Sequence, residues 1–169
     1  SLLPARLIVV GGSTSRDDLY ARLCALDAPV VLDTRGEALT KAMKSGKLFM
    51  AKPNLRECRD TFGARDVASA ATMLRQMGAR WSVVTDQGRE AAFQLGRKLY
   101  RVTPPTVDVV HTVGCGDALC AGLIHTMNRP PKESVAFAMA CGAYAATQPE
   151  VSKLNKAACE ALAADIEVR

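Results

Sequence analysis

The amino-acid sequence predicts an α/β fold, a parallel sheet flanked by helices with one small antiparallel hairpin. Three observations carry this expectation. Four short runs are apolar at nearly every position, as strands buried on both faces must be. A stretch with helical spacing separates each run from the next, and parallel strands need such a crossover between them. Later in the chain the pattern changes to two alternating segments around Gly96-Arg97, which read as a hairpin.

In chain order, Leu7–Val10 is the first buried strand and opens into the loop Gly11-Gly12-Ser13-Thr14. Ser15 or Asp17 starts a helix to about Leu26, with Leu19, Leu23 and Leu26 on one face. Pro29–Asp33 is the second strand, and Thr34-Arg35-Gly36 turns into a helix through about Lys44. Lys47–Ala51 is the third strand, followed at once by Lys52-Pro53-Asn54-Leu55-Arg56-Glu57. A helix from about Asp66 to Met77 leads to the fourth strand, Trp81–Thr85. Ala91–Leu95 and Lys98–Val102 form the hairpin, Thr103-Pro104-Pro105 breaks it, and a β-branched run from Val107 reads as one more strand. Three helices close the chain: one from at or near Asp117, one that Lys132 or Glu133 starts and that is buried from Ser134 to about Thr147, and one capped by Asn155 and running to about Ile166.

Composition narrows the function classes. With 49% hydrophobic and 23% charged residues, the 169-residue chain can bury a core and is not disordered. Its net charge of +5 is spread out and only 5% of residues are aromatic, so no nucleic-acid face is expected. The six cysteines form no Cys-x-x-Cys pair, and only two histidines exist, so they read as reduced, buried thiols of a cytoplasmic protein rather than zinc ligands. His111 and His125 are most simply hydrogen-bonded or surface residues. No apolar run approaches a membrane span, and no membrane partner is expected.

Two stretches carry chemistry. In Val107–Ile124 a strand, a glycine turn and an apolar helix follow one another, and a helix start leaves backbone N–H groups free for an anion. Gly114 and Gly116 would let that backbone approach a ligand closely. Asp117 is either an ordinary N-cap or a base that takes a proton from a hydroxyl while the N–H groups meet a transferring phosphoryl group. In the second stretch, Asn54 is placed to cap a helix with Glu57 reaching back, and the same hard oxygens suit Mg²⁺ held partly through water. Thr85, at a strand end, is either solvated or directed at a phosphate. The small residues Ala138, Ala140, Gly142 and Ala143 permit close approach to another helix or to a flat ring. Gly11-Gly12, Asn54, Thr85 and Gly114 all fall at strand carboxyl ends, where open parallel sheets bind ligands.

Thr112-Val-Gly-Cys-Gly-Asp-Ala-Leu-Cys-Ala-Gly122 resembles the second signature of the ribokinase-like sugar kinases, the PfkB family, Asp-Thr-x-Gly-Ala-Gly-Asp-x-Phe-x-Ala-Gly. His111 stands where that family usually has Asp, Asn or Ser, and Cys115 where it has Ala, Ser or Gly. Lys52-Pro-Asn-Leu-Arg-Glu57 resembles its Lys-Pro-Asn-x-x-Glu. With Gly-Gly-Ser-Thr and Asp-Thr-x-Gly-Glu-Ala-Leu in the same order, the chain is similar to the 1-phosphofructokinase and tagatose-6-phosphate kinase branch.

The resemblance implies a ribokinase-like, Rossmann-like three-layer fold, with residues 1–169 as its C-terminal nucleotide-binding and catalytic portion and the N-terminal half and lid absent. It implies ATP-dependent phosphoryl transfer to a hydroxyl of a sugar phosphate, with Mg²⁺. Asp117 would be the base and the Gly114, Cys115 and Gly116 backbone the anion hole. Asn54 and Glu57 would hold the metal and triphosphate through water, and Thr85 would contact a nucleotide phosphate. Gly88 stands one position later than the glycine the family has after that strand. The adenine would lie against the Ala138–Ala143 face, which includes Gly142. An uncovered sheet edge near Leu7 would favour a homodimer or other association. A reading of a different class is a stand-alone nucleotide-binding or interaction module without catalysis, to which Asp117 would contribute nothing.

Overall fold

The first four apolar runs pair as parallel strands whose order in the sheet follows their order in the chain. The computed structural model describes residues 6–12, 16, 18–45 and 48–169, so the expectations at Ser13, Thr14, Ser15, Asp17 and Lys47 lie outside the described residues. Strands β1 (Ile8–Gly11), β2 (Val30–Asp33), β3 (Leu48–Ala51) and β4 (Trp81–Asp86) alternate with helices α1 (Leu19–Cys24), α2 (Gly36–Lys44), α3 (Leu55–Phe62) and α4 (Val67–Gln76). The register sets Ile8 against Val30, Leu32 against Ala51 and Met50 against Trp81. Strands β5 (Glu90–Leu95) and β6 (Lys98–Val102) follow as the expected hairpin and complete a six-stranded mixed sheet, ordered β1-β2-β3-β4-β5-β6.

The order from β1 to β4 never reverses, so right-handed crossovers set α1 to α4 on one face of the sheet. One apolar cluster fills that layer, where Val30, Leu32, Leu48 and Val84 meet Leu39, Met43, Cys58, Ala71 and Leu74. The alternate strand residues Val31, Met50 and Val83 are just as deeply buried, which is why these runs carry no polar alternation. Ser82, the polar exception on β4, is satisfied by donating to the Ala71 carbonyl at 2.7 Å.

Capping fixes where the helices begin. Asp66 caps α4, accepting from Ser69 N–H at 2.7 Å while its own N–H reaches Ser69 Oγ at 3.2 Å. The Ser69 N–H holds the Asp66 carboxyl below its ordinary range. Gly63, at φ 68°, ends α3 in the left-handed conformation that a side chain would resist.

The chain divides into two compact units, Ser1–Asp86 with Ala92–Leu99, and Gln87–Ala91 with Tyr100–Arg169. The second unit holds α5 (Cys115–His125), α6 (Pro131–Ala146) and α7 (Lys156–Ala164). A Cβ on Gly122 would come within 2.8 Å of Cys141 Sγ and 3.1 Å of Ala138 Cα, so the glycine is what lets α5 and α6 pack this closely. Phe137, Cys141 and Cys159 close the space between α6 and α7. Burial pushes the Cys58 and Cys141 thiols up to about 12, and all six cysteines are free. Among the described residues no helix is long and apolar enough to cross a membrane.

One expectation is corrected, and several helix ends shift by about two residues. The Val107 run is not a strand: residues 103–112 are irregular. Pro104 and Pro105 have no N–H to offer a ladder, and the N–H groups of Val110 and His111 both donate to the Ala146 carbonyl, at 2.8 and 3.3 Å. Val109 and Val110 are each 60% exposed, so their β-branched side chains lack the neighbours from which strand preference arises. Helix α5 begins at Cys115, two residues before Asp117. Helices α1 and α7 also stop short of Leu26 and Ile166.

Candidate active site

In the first unit the expected phosphate and metal residues stand side by side. Pro53 holds the chain extended after β3, and Asn54 then caps α3. Asn54 Oδ1 accepts from Glu57 N–H at 2.9 Å, and Glu57 Oε2 accepts from Asn54 N–H at 2.9 Å. This reciprocal pair occupies one oxygen of each side chain. Glu57 also borders a cavity of about 460 Å³ lined by Arg35, Gly36, Glu37, Asp60 and Thr61. An isolated parallel bridge sets Asn54 beside Thr85, where β4 nears its end. Capping is thus the state observed, and it fixes Asn54 and Glu57 next to the half-buried Thr85.

Among the described residues no group of three or more His, Cys, Asp or Glu side chains could hold a metal by itself. That donor set fits Mg²⁺ better than a metal needing a full protein cage. Magnesium keeps several waters and takes one or two protein oxygens plus phosphate oxygens.

Lys52 is a buried charged residue at the same strand ends. Its side chain is 6% exposed and its Nζ lies 2.8 Å from Asp33 Oδ2, across the neighbouring carboxyl ends of β2 and β3. A buried ammonium demands such a partner. The signal was available in Lys52 directly after an apolar strand, with Asp33 at the end of another.

The loop after β4 departs from expectation at one residue. Gln87 takes φ 53°, a backbone conformation suited to glycine, whereas Gly88 has ordinary φ and open space around it. Gln87 stands where the resembling pattern has its glycine, and it takes the left-handed conformation itself.

In the second unit the turn before α5 carries the other group. Gly114, at φ 77°, is the N-cap and supplies no side-chain bond. Asp117 therefore sits at the third helical position and is not the cap. It is exposed, and among the described residues its carboxylate has no hydrogen-bond or ion-pair partner. The Cys115 N–H reaches the Thr112 carbonyl at 3.4 Å, while the Gly116 and Asp117 N–H groups meet no backbone acceptor among the described residues. Burial raises the Cys115 thiol, which holds it in the neutral, weakly nucleophilic form.

One neighbour departs from expectation and one meets it. Among the described residues both ring nitrogens of His111 are buried without a hydrogen-bond partner, so it is neither the satisfied nor the surface residue anticipated. His125 is a surface residue, its ring against Phe137. A Cβ on Gly142 would lie 3.3 Å from both the Cys115 carbonyl and Leu119 Cβ. Of the two openings left for the small face of α6, Gly142 takes the helix contact, beneath the first turn of α5.

The pfkB family carbohydrate kinase pattern matches residues 5–158. The chain belongs to the PfkB family of carbohydrate kinases. It is 31% identical over 160 residues to the 1-phosphofructokinase of Escherichia coli K12, covering 90% of this chain and 51% of that enzyme. The 1-phosphofructokinase of Bacillus subtilis 168 is 28% identical over 165 residues, covering 89% of this chain and 54% of the relative. The chain thus spans about half the length of these PfkB relatives. Its fold is similar to phosphofructokinase-2 of Escherichia coli in complex with potassium (TM-score 0.81, 23% identity, 94% of this chain and 56% of that one). It is also similar to ribokinase of Thermotoga maritima (TM-score 0.76, 16% identity, 95% and 57%). These neighbours show the three-layer α/β fold.

One participant in the turn carried no sequence signal. Ser152, 38 residues away, donates through Oγ to the Gly114 carbonyl at 3.2 Å, and with Val151 it fills the space a Cβ at position 114 would need. Gly114→Ala is therefore expected to destabilise the second unit by about 2–4 kcal/mol, the sum of left-handed backbone cost and overpacking. A denaturation midpoint equal to that of the unsubstituted protein would refute this account of the turn.

Proposed function

We propose that this chain carries the ATP and Mg²⁺ residues and the catalytic base of an enzyme that phosphorylates a hydroxyl of a sugar phosphate, of the 1-phosphofructokinase or tagatose-6-phosphate kinase type. The observation that carries the reading is the unpartnered Asp117 carboxylate, one turn into a helix whose first N–H groups are also open. A turn that only held phosphate would gain nothing from a carboxylate there. A module that only binds nucleotide has no task for Asp117.

In this reading Asp117 accepts the proton of the attacking hydroxyl, which raises the oxygen's nucleophilicity as it meets phosphorus. The Gly116 and Asp117 N–H groups, with Cys115 beside them, stabilise the charge on the transferring phosphoryl group. Asn54 and Glu57 would hold Mg²⁺ through water, and a metal there neutralises phosphate oxygens. Thr85 offers its hydroxyl to a nucleotide phosphate. Gly88 and Gly142 serve as backbone: Gly88 leaves the loop after Thr85 unobstructed, and Gly142 seats the first turn of α5. Six free cysteines suit a reducing, cytoplasmic setting.

In the complete gene product, Asp117→Asn is expected to lower turnover by about a hundredfold or more with ATP affinity nearly unchanged, because only proton acceptance is lost. Unaltered turnover would return Asp117 to a surface role. Glu57→Gln should raise the Mg²⁺ concentration needed for half-maximal rate, and an identical metal dependence would leave Glu57 with capping alone.

The 169 residues by themselves are expected to hydrolyse ATP slowly at most, since most of the rate in phosphoryl transfer comes from holding the acceptor in line. No acceptor site is identified among the residues described. They should also self-associate through β1, one of the two edge strands, since β6 at the other edge already pairs with residues 168 and 169. Coupled ADP-release assays with fructose 1-phosphate, fructose 6-phosphate and tagatose 6-phosphate test the first point, and sedimentation tests the second. Full kinase activity from a monomer of these residues would overturn both.

A further inference from the structure

Ser152 combines three properties that no other described residue shares. Among the described residues it is one of two non-glycine residues with positive φ, at 56°. Its hydroxyl donates to the Gly114 carbonyl. Its side chain occupies the space beside Gly114 that a Cβ would need. A serine in the left-handed region is held there by its surroundings, and those surroundings are visible. The Lys153 N–H donates to the Glu150 carbonyl at 3.4 Å, Lys153 Nζ pairs with Glu150 Oε1 at 2.7 Å, and Asn155 caps α7 by accepting from Ala158 N–H at 3.1 Å. The segment between α6 and α7 is thus a braced turn, and Ser152 is the point at which it touches the start of α5.

The consequence follows from what Gly114 does. A glycine N-cap at φ 77° has the backbone freedom to rotate, and it contributes no side-chain bond to fix itself. Its carbonyl accepts the first intrahelical bond, from Ala118 N–H at 2.9 Å, and the Ser152 hydroxyl is the second donor to that same oxygen. Two donors on one carbonyl fix the peptide plane that leads into Cys115 and Gly116. That plane determines where the open N–H groups of the first turn point. A left-handed serine carries backbone strain that glycine would not, and strain of this kind clusters at active sites and ligand clamps.

We infer that Ser152 is a positioning residue for phosphoryl transfer, orienting the Gly114–Gly116 backbone through its bond to the Gly114 carbonyl; this rests on the kinase reading of Asp117. The hydroxyl does not touch substrate and moves no proton. Its contribution is realised when charge develops on the phosphoryl group, so it belongs in kcat rather than in KM.

The test uses the complete gene product with ATP, Mg²⁺ and the three phosphosugars named above, comparing Ser152→Gly, Ser152→Ala and Asp117→Asn. Ser152→Gly removes the hydroxyl while easing the backbone, so its thermal midpoint should equal or exceed that of the unsubstituted protein. Both Ser152 variants are expected to lose about tenfold in kcat, with KM for ATP and phosphosugar within about twofold, since small misplacement of a reacting group is costly. A loss of rate without a loss of stability is the result a merely structural serine would not give. Full kcat in Ser152→Gly, with Asp117→Asn still inactive, overturns the inference and leaves the kinase reading standing. Full turnover in Asp117→Asn, or no phosphosugar turnover in the unsubstituted protein, overturns both.

Discussion

The first turn of a helix has N–H groups with no partner inside the helix, and the way each helix of this chain meets that constraint sorts structure from chemistry. Helices α3, α4 and α7 use their own neighbours: Asn54, Asp66 and Asn155 each accept from an N–H in the first turn. Helix α6 enters through Pro130, with Pro131 as its first residue, which removes one donor outright. Helix α5 alone among these pairs a side-chain-free glycine cap with an acidic first turn whose carboxylate is unengaged. The unmet donors and the unmet carboxylate are adjacent, which is the arrangement a developing phosphoryl charge and a departing proton need.

At the Asn54 turn, capping and the proposed metal-binding role are compatible. Its reciprocal bonds to Glu57 freeze both side chains in one orientation, and each keeps a second polar atom beyond the capping bond. A ligand arriving there would find its oxygens already ordered. The parallel bridge to Thr85 extends the same rigidity to the next strand, so the local hydrogen bonds that stabilise α3 also preorganise the candidate site.

Most of the scaffold was legible in the sequence, because burial on both strand faces writes unbroken apolar runs and capping boxes write spaced polar pairs. Asn54 with Glu57, the Asp66 start of α4 and the Gly96-Arg97 hairpin were read from neighbours within four residues. Legibility failed where the deciding partner was remote. The valines at 107, 109 and 110 had strand composition, but their fate depended on whether a strand edge was available, and the Ala146 carbonyl took two of the donors instead. Asp117 looked like a cap because glycine in the left-handed region, the true cap, leaves no residue-type signature beyond the glycine itself. Ser152 and the buried nitrogens of His111 are products of packing, and nothing adjacent to them in sequence announces either.

The strand order carries a kinetic consequence. From β1 to β6 each strand's partner in the sheet is also its neighbour in the chain, so each pairing closes a short loop and no strand waits for a distant one. Growth from the amino-terminal side would add one strand and its helix at a time. The contact between Ser152 and the Gly114 turn obeys a different clock, since α5 and α6 must both form and pack before the segment that follows α6 can return to position 114. The turn that orients the open N–H groups is therefore expected to be among the last features to acquire protection in pulse-labelled hydrogen exchange, and the first to lose it when the second unit loosens.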